Sequence, residues 1–326
     1  MFTSYRRTTM PGQGVLFAAI LIAAVMSAVG FFTGPQTQLS GRMGLCLPSP
    51  NLWPLIPEVS WTLNLAFIAL TAFGLCLANK AYTFIPNPSI VVISAFVVMC
   101  CSNPWISGML TSSVIMAAVN LYCISLTFGS FKERNASQCF FLIATMLSIG
   151  SMFQYAFVFM APVYIAIGIT LKCFRFRELL ALLMGLVAPY WVGIGLGLIP
   201  PESINIPTFT NLFEGYSSKM ELFSGTVNLS VTALFALLFG LNNLVKLYAG
   251  NSRRRLFNTS LNLMGIACVA MMAIDFNNMT AYMATFYMIA AVQFANVFAL
   301  WNVKSWKIWL PVAAALYVGF FTASVA

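Results

Sequence analysis

Few side chains in this sequence can hold or move a charge, and any chemistry has to use those few. The chain has seven acidic residues. Two of them, Glu58 and Asp275, stand at the borders of long apolar runs. A carboxyl at a membrane boundary can serve as a base or a ligand, against the commoner case of a solvated loop charge. Glu58 precedes Trp61 and is expected to be partly desolvated there, with a raised pKa and a catalytic role as base or ligand. Asp275 is expected to assist. Arg42 and Lys219 lie in two long polar stretches and suit a phosphate, such as that of a lipid-linked sugar. The plainer reading makes them ordinary surface charges. Gln293 and Asn296 share a helical face, where they would line a cavity or bond neighbouring helices. Asn64, Asn120, Gln154 and Asn262 are further amides within or near apolar segments.

Other chemistry is excluded by residue type. The chain contains no histidine, the commonest metal ligand and general base. Its eight cysteines form no C-x-x-C pair. No phosphate-binding glycine loop and no nucleophile-elbow pattern occurs. Neither a metal nor a cofactor is therefore expected. Glycosylation patterns at Asn135, Asn228, Asn258 and Asn278 are short and are read as chance.

The elements that must position these residues follow from composition. The 326 residues are 60% hydrophobic and 7% charged, which describes a polytopic membrane protein and not a soluble domain. The backbone reads as all-α, because apolar helices satisfy their own hydrogen bonds in lipid. A net charge of +9 could suggest nucleic acid, but the cations sit between apolar spans, so no nucleic-acid partner is expected. The spacing predicts about 11 transmembrane helices in one domain covering 1–326. They fall near 15–33, 61–78, 89–101, 106–128, a pair within 138–171, 179–199, 226–245, 256–274, 280–300 and 308–322. Arg6-Arg7 before the first run resembles a signal peptide, but the run is long and many spans follow, so an uncleaved helix is expected. Gly193 and Gly197 form a small-xxx-small pair beside Pro189, read as close helix packing with a kink.

The stretch 138–171 carries no formal charge. One helix of that length would be ~50 Å long, against a hydrocarbon core of ~30 Å. A fold at Ile149-Gly150-Ser151, with the chain reversing within 149–153, gives two short spans instead. The basic residues favour that reading. With the hairpin and a cytoplasmic amino terminus, 14 of the 16 Lys and Arg fall inside, leaving Arg42 and Lys219 outside. With a single span, the same 16 would divide 6 inside and 10 outside. The positive-inside bias selects the hairpin and makes 89–101 a true crossing. The long loops 34–60 and 200–225 then face outward. Loops of that length over a bundle either carry function or merely link spans.

From 100 to 200 the chain resembles an uncharacterised family of multi-pass inner-membrane proteins from Bacteroidota, a domain of unknown function. The likeness rests on Asn103-Pro104-Trp105, the apolar hairpin with Phe153-Gln154-Tyr155, the R-x-R-E link at Arg175 and the span with Gly185 and Pro189. The hairpin of short helices and the long outer loops are also similar to membrane glycosyltransferases that use polyprenyl-phosphate donors. That second resemblance implies a functional acid in the first outer loop, for which Glu58 stands. The paired acidic motif of many such enzymes is missing here. The expected function is envelope glycan or lipid handling at the outer face of the bacterial inner membrane, on a polyprenyl-phosphate-linked substrate. Two alternatives stay open: a small-molecule or lipid transporter (flippase), and a non-catalytic membrane subunit of a larger complex.

Overall fold

The computed structural model describes residues 13–33, 44–85, 90–197, 199, 223–247, 252–300 and 306–325. Arg42 and Lys219 lie outside the described residues, as does most of the loop 200–225. Among the described residues there is no strand. Among them seven helices are long and apolar enough to cross a membrane, and four shorter apolar helices accompany these.

Helix α1 (Gln13–Thr33) buries a stripe of small residues and turns Phe17, Ile20, Leu21 and Val25 outward. The stripe lets α1 lie close to its neighbours, which is how helices associate without a hydrophobic driving force. Helix α2 (Pro57–Tyr82) starts on a proline, whose missing N–H costs nothing in the first turn. Glu58 near its start and Lys80 near its end both complement the helix dipole. It stops at Thr83, in the left-handed region at φ 49°. Helix α3 (Ile90–Cys101) follows and is short.

The segment expected as one span from 106 is divided. Asn103 accepts from Trp105 N at 3.1 Å and starts a single turn, α4 (Pro104–Ser107). A new start at Thr111 then opens α5 (Ser112–Gly129).

The hairpin is present, but its turn is not at the glycine. Helix α6 (Ser137–Phe153) runs straight through Ile149-Gly150-Ser151 and ends where Gln154 becomes extended, at φ −153° and ψ 111°. A 3₁₀ turn (Tyr155–Met160) leads into α7 (Ala161–Thr170). The chain does reverse: Lys132 N donates to Leu171 O at 3.4 Å, so the end of α7 returns to the start of α6. Gly150 serves the return instead of the turn, because a Cβ there would collide with the ring of Phe157.

Helix α8 (Phe176–Gly195) packs along α6. Gly185 makes this possible: a Cβ would lie 2.5 Å from Phe141 O. Ser148 Oγ donates to Leu186 O at 2.7 Å across the same seam. Among the described residues, the Gly193–Gly197 pair meets no second helix. Ile199 folds back over Gly193, and Gly197, at φ 69°, is the left-handed residue that ends the helix.

Helices α9 (Phe223–Leu247), α10 (Ser252–Ile274), α11 (Met279–Leu300) and α12 (Trp306–Val325) complete the chain. Every residue of α11 from Ala281 to Gln293 is buried. It is wrapped by α3, α5, α9 and α10. A helix apolar on all sides belongs at the centre of a bundle, and this one is.

The two ends of the bundle differ. At one end Arg254 Nε donates to Thr83 O at 3.0 Å and Asn258 Nδ2 to Phe84 O at 3.1 Å. The Arg253 guanidinium lies 5.3 Å from the centre of the Phe257 ring. Lys80, Lys132 and Lys172 sit at this same end. At the other end Trp61 Nε1 donates to Ser27 Oγ at 2.8 Å, and Leu110 N to Ser60 Oγ at 2.9 Å.

Candidate functional site

The end away from the cations holds a connected set of buried polar groups: Gln154, Tyr155, Asp275 and Asn278. It is built where two helix junctions meet: the break after α6 and the short 3₁₀ turn between α10 and α11. At both junctions the regular backbone stops and leaves groups that need partners from outside the helix. The segment from Gly44 to Leu47 covers the first junction. Leu45 N donates to Ser151 O at 3.1 Å and Leu47 N to Met152 O at 2.8 Å, capping the last turn of α6. Trp53 sets its ring edge-on to Phe153 at 5.7 Å.

Asp275 is at the centre of this site and is fully buried. The Tyr155 hydroxyl donates to its Oδ2 at 2.8 Å, and Asn278 Nδ2 donates to the same oxygen at 3.0 Å. Asn278 Nδ2 also meets the Tyr155 hydroxyl. Gln154 Nε2 donates to Asn278 Oδ1 at 2.8 Å, which joins the two junctions. Burial pushes the Asp275 carboxyl up from its ordinary value, and the donors Asn278 and Tyr155 offset only part of that rise. Among the described residues, Asp275 Oδ1, Gln154 Oε1 and the hydroxyl of the neighbouring Tyr282 have no hydrogen-bond partner. Unpaired polar atoms in a buried site call for an explanation such as a proton, a water or a ligand. The chemistry open to this arrangement is proton exchange at Asp275, steered by a phenol and an amide.

The other expected residues fall elsewhere. Glu58 is exposed on the first turn of α2. The Trp61 side chain turns inward to Ser27 and stacks on Phe31 at 5.2 Å. No described contact joins Glu58 to Asp275. Gln293 and Asn296 are both buried. Asn243 Nδ2 donates to Gln293 Oε1 at 2.9 Å, and Asn296 Nδ2 donates to Asn258 Oδ1 at 2.7 Å. They act as interhelical ties from α11 to α9 and α10, with Gln293 Nε2, Asn243 Oδ1 and Asn296 Oδ1 left unpaired among the described residues. Asn64 and Asn262 also make interhelical bonds, to Ile106 O and Gly240 O. Asn120 donates to Thr285 Oγ1 at 3.1 Å and accepts from the Tyr164 hydroxyl at 2.9 Å. No group of three or more His, Cys, Asp or Glu able to hold a metal occurs among the described residues.

Tyr155 and Asn278 were not anticipated as site residues. The signals were present: Gln154-Tyr155 interrupts an apolar run, and Asn278 stands three places after Asp275, a spacing that closes a turn. Comparison with protein-family models, with curated proteins and with solved structures gives no match.

Proposed function

We propose that this chain is a multi-pass protein of the bacterial inner membrane that handles a glycan-linked or other lipid at the outer face, with Asp275 as its proton-exchanging group. About eleven crossings with a cytoplasmic amino terminus agree with the segregation of cations. By the positive-inside rule, the cation-bearing end is cytoplasmic and Asp275 belongs to the opposite face. The observation that carries the reading is the buried Asp275 carboxyl, with Tyr155 and Asn278 on one oxygen and no hydrogen-bond partner on the other among the described residues. Perturbed, buried acids of this kind cluster at functional sites. Arg42 and Lys219 are the proposed contacts to a substrate phosphate, as on a polyprenyl-phosphate-linked sugar, and exposed Glu58 is the second acid.

The test compares Asp275→Asn with Glu58→Gln in a deletion strain, at equal membrane abundance, with lipid-linked intermediates quantified by mass spectrometry. Loss of a general acid–base group lowers a rate by ~10²–10⁴-fold, so Asp275→Asn is expected to leave the intermediates as abundant as in the deletion. Glu58→Gln is expected to have a smaller effect. Full complementation by Asp275→Asn would overturn the reading.

One observation favours a second reading, transport through the bundle: the unpaired amide atoms of Asn243, Gln293 and Asn296 lie in its interior. In that case Gln293→Leu abolishes function and Asp275→Asn does not. Complementation by both variants would leave a non-catalytic subunit of a larger membrane complex.

A further inference from the structure

At the end of the bundle that carries the cations, three separate stretches of chain bring charged side chains to one place. The turn after α5 contains Phe131 and Lys132, the turn after α7 contains Lys172, and α10 begins with Ser252-Arg253. Lys132 N donates to Leu171 O at 3.4 Å, which sets the backbone of Lys132 beside that of Lys172. Lys132 Nζ lies 5.3 Å from the centre of the Phe131 ring, and the Arg253 guanidinium lies 5.6 Å from the same centre. All three cations are exposed. Neither Lys132 nor Lys172 has an ion-pair partner among the described residues. Across 131–134, 172–177 and 253 the exposed charges are six cations and one acid, Glu133. The other acid nearby, Glu178, is buried, and its Oε1 accepts from Ser137 Oγ at 3.5 Å.

Sidedness alone does not account for this set. The positive-inside bias acts on each link separately and does not ask the cations of three links to meet. Like charges gathered round one ring repel, and an exposed aromatic face attracts each of them only weakly. Lys132 and Lys172 also both hold φ 61°, in the left-handed region that favours glycine over any residue with a side chain. A cation near a helix end complements the dipole, but that role does not require the left-handed residue itself to carry it. The apolar neighbours say what kind of anion fits. Ile169, three residues before Lys172, is 61% exposed, and Phe176, between Arg175 and Arg177, is 73% exposed. Exposed apolar side chains next to exposed cations at a helix end suit the headgroup level of a bilayer.

We propose that Lys132, Lys172 and Arg253 bind the phosphate of an anionic glycerophospholipid of the phosphatidylglycerol type, whose acyl chains lie against the exposed apolar surface at Ile169 and Phe176. The phosphate oxygens accept charge-assisted hydrogen bonds from the ammonium and guanidinium groups. A free phosphate would meet the cations but leave Ile169 and Phe176 against water. Phosphatidylethanolamine brings an ammonium of its own, which the surplus positive charge repels. The site rests on the membrane environment of the bundle and not on the chemistry proposed at Asp275, which lies at the opposite end.

The experiment uses the full chain in nanodiscs of phosphatidylethanolamine and phosphatidylglycerol in equal parts. Native mass spectrometry of the released protein counts the retained lipids of each class. The parent chain is expected to retain phosphatidylglycerol in preference. Lys132→Gly and Lys172→Gly are each expected to lower that preference about fivefold, the weight of one cation at an anionic membrane surface. Their thermal unfolding midpoints are expected to stay level or rise, because glycine suits the left-handed position; lysines that served only the helix ends would instead lower the midpoints and leave the preference intact. Lys132→Gln and Lys172→Gln keep a side chain at each position and are expected to lose the same preference. Lys80→Gln removes an exposed lysine from the same end of the bundle, outside this set, and is expected to leave the preference unchanged. Excess inorganic phosphate is expected to displace none of the retained lipid. No preference in the parent chain, or an undiminished one in the Lys132 and Lys172 variants, would overturn the site. An equal loss in Lys80→Gln would replace it with diffuse attraction to the whole face, and displacement by inorganic phosphate would overturn the lipid assignment.

Discussion

Asp275 shows how a residue's role depends on a few ångströms of surroundings. Glu58 and Asp275 look alike in the sequence, each an acid beside an apolar run. In the fold one is exposed and the other is buried under two donors. The consequence for stability has a definite sign. The folded Asp275 carboxyl lies above its ordinary value, so the native state holds this proton more tightly than the unfolded chain does. Its contribution is fully present below the ordinary aspartate pKa of ~3.9 and is lost as pH rises through the folded value. Thermal unfolding of the purified protein, followed from about pH 4 to 8, is expected to show a midpoint that falls with rising pH. Asp275→Asn removes the titrating group and is expected to flatten that dependence. A midpoint that rises with pH in the parent chain and flattens in the variant would contradict the burial argument.

At the scale of elements, glycine positions separate close packing from plain chain termination. Gly185 and Gly195 both belong to α8. A Cβ on Gly185 would lie 2.5 Å from Phe141 O and 2.8 Å from Ala144 Cβ, whereas one on Gly195 would meet nothing within 4 Å. Gly185→Ala has to push α8 off α6 and is expected to cost about 1–3 kcal/mol, as overpacked cores do. Gly195→Ala is expected to be neutral or to stabilise by up to ~1 kcal/mol, since alanine loses less entropy in a helix. Comparing the two by unfolding in detergent checks the seam directly; equal effects would mean that α6 and α8 are not in contact there. The hairpin follows the same logic. Gln154 ends α6 because its extended backbone starts the turn and its side chain bonds Asn278. Gly150 was the attractive turn residue, but it is used for the close approach of Phe157.

For the whole molecule, the segregation of charge between the two ends implies sidedness. Arg175 is exposed at the start of α8, at the end shared by Ser137 and Glu178, and Glu58 is exposed at the opposite end. In a cysteine-free background, Glu58→Cys is expected to react with an impermeant maleimide added outside intact cells. Arg175→Cys is expected to react only after the membrane is opened. Labelling of Glu58→Cys from the cytoplasmic face alone would invert the bundle and with it the placement of Asp275.

The sequence by itself determined that the chain is helical and built for a membrane. Sixty per cent hydrophobic content in continuous runs near helical span length, without the short alternating segments of a barrel, leaves helices as the way to satisfy the backbone in lipid. It also showed that 138–171 is too long for one upright helix, because length and the absence of charge are local properties of the chain. It could not rank Glu58 against Asp275, or tell an amide that lines a path from one that ties helices together. Those distinctions depend on which atoms of distant segments meet: Tyr155 with Asp275 across 120 positions, Asn243 with Gln293 across 50. Burial and hydrogen bonding are properties of such meetings. Only the tertiary structure, by bringing the break after α6 against the turn between α10 and α11, decided that one carboxyl would be buried and the other exposed.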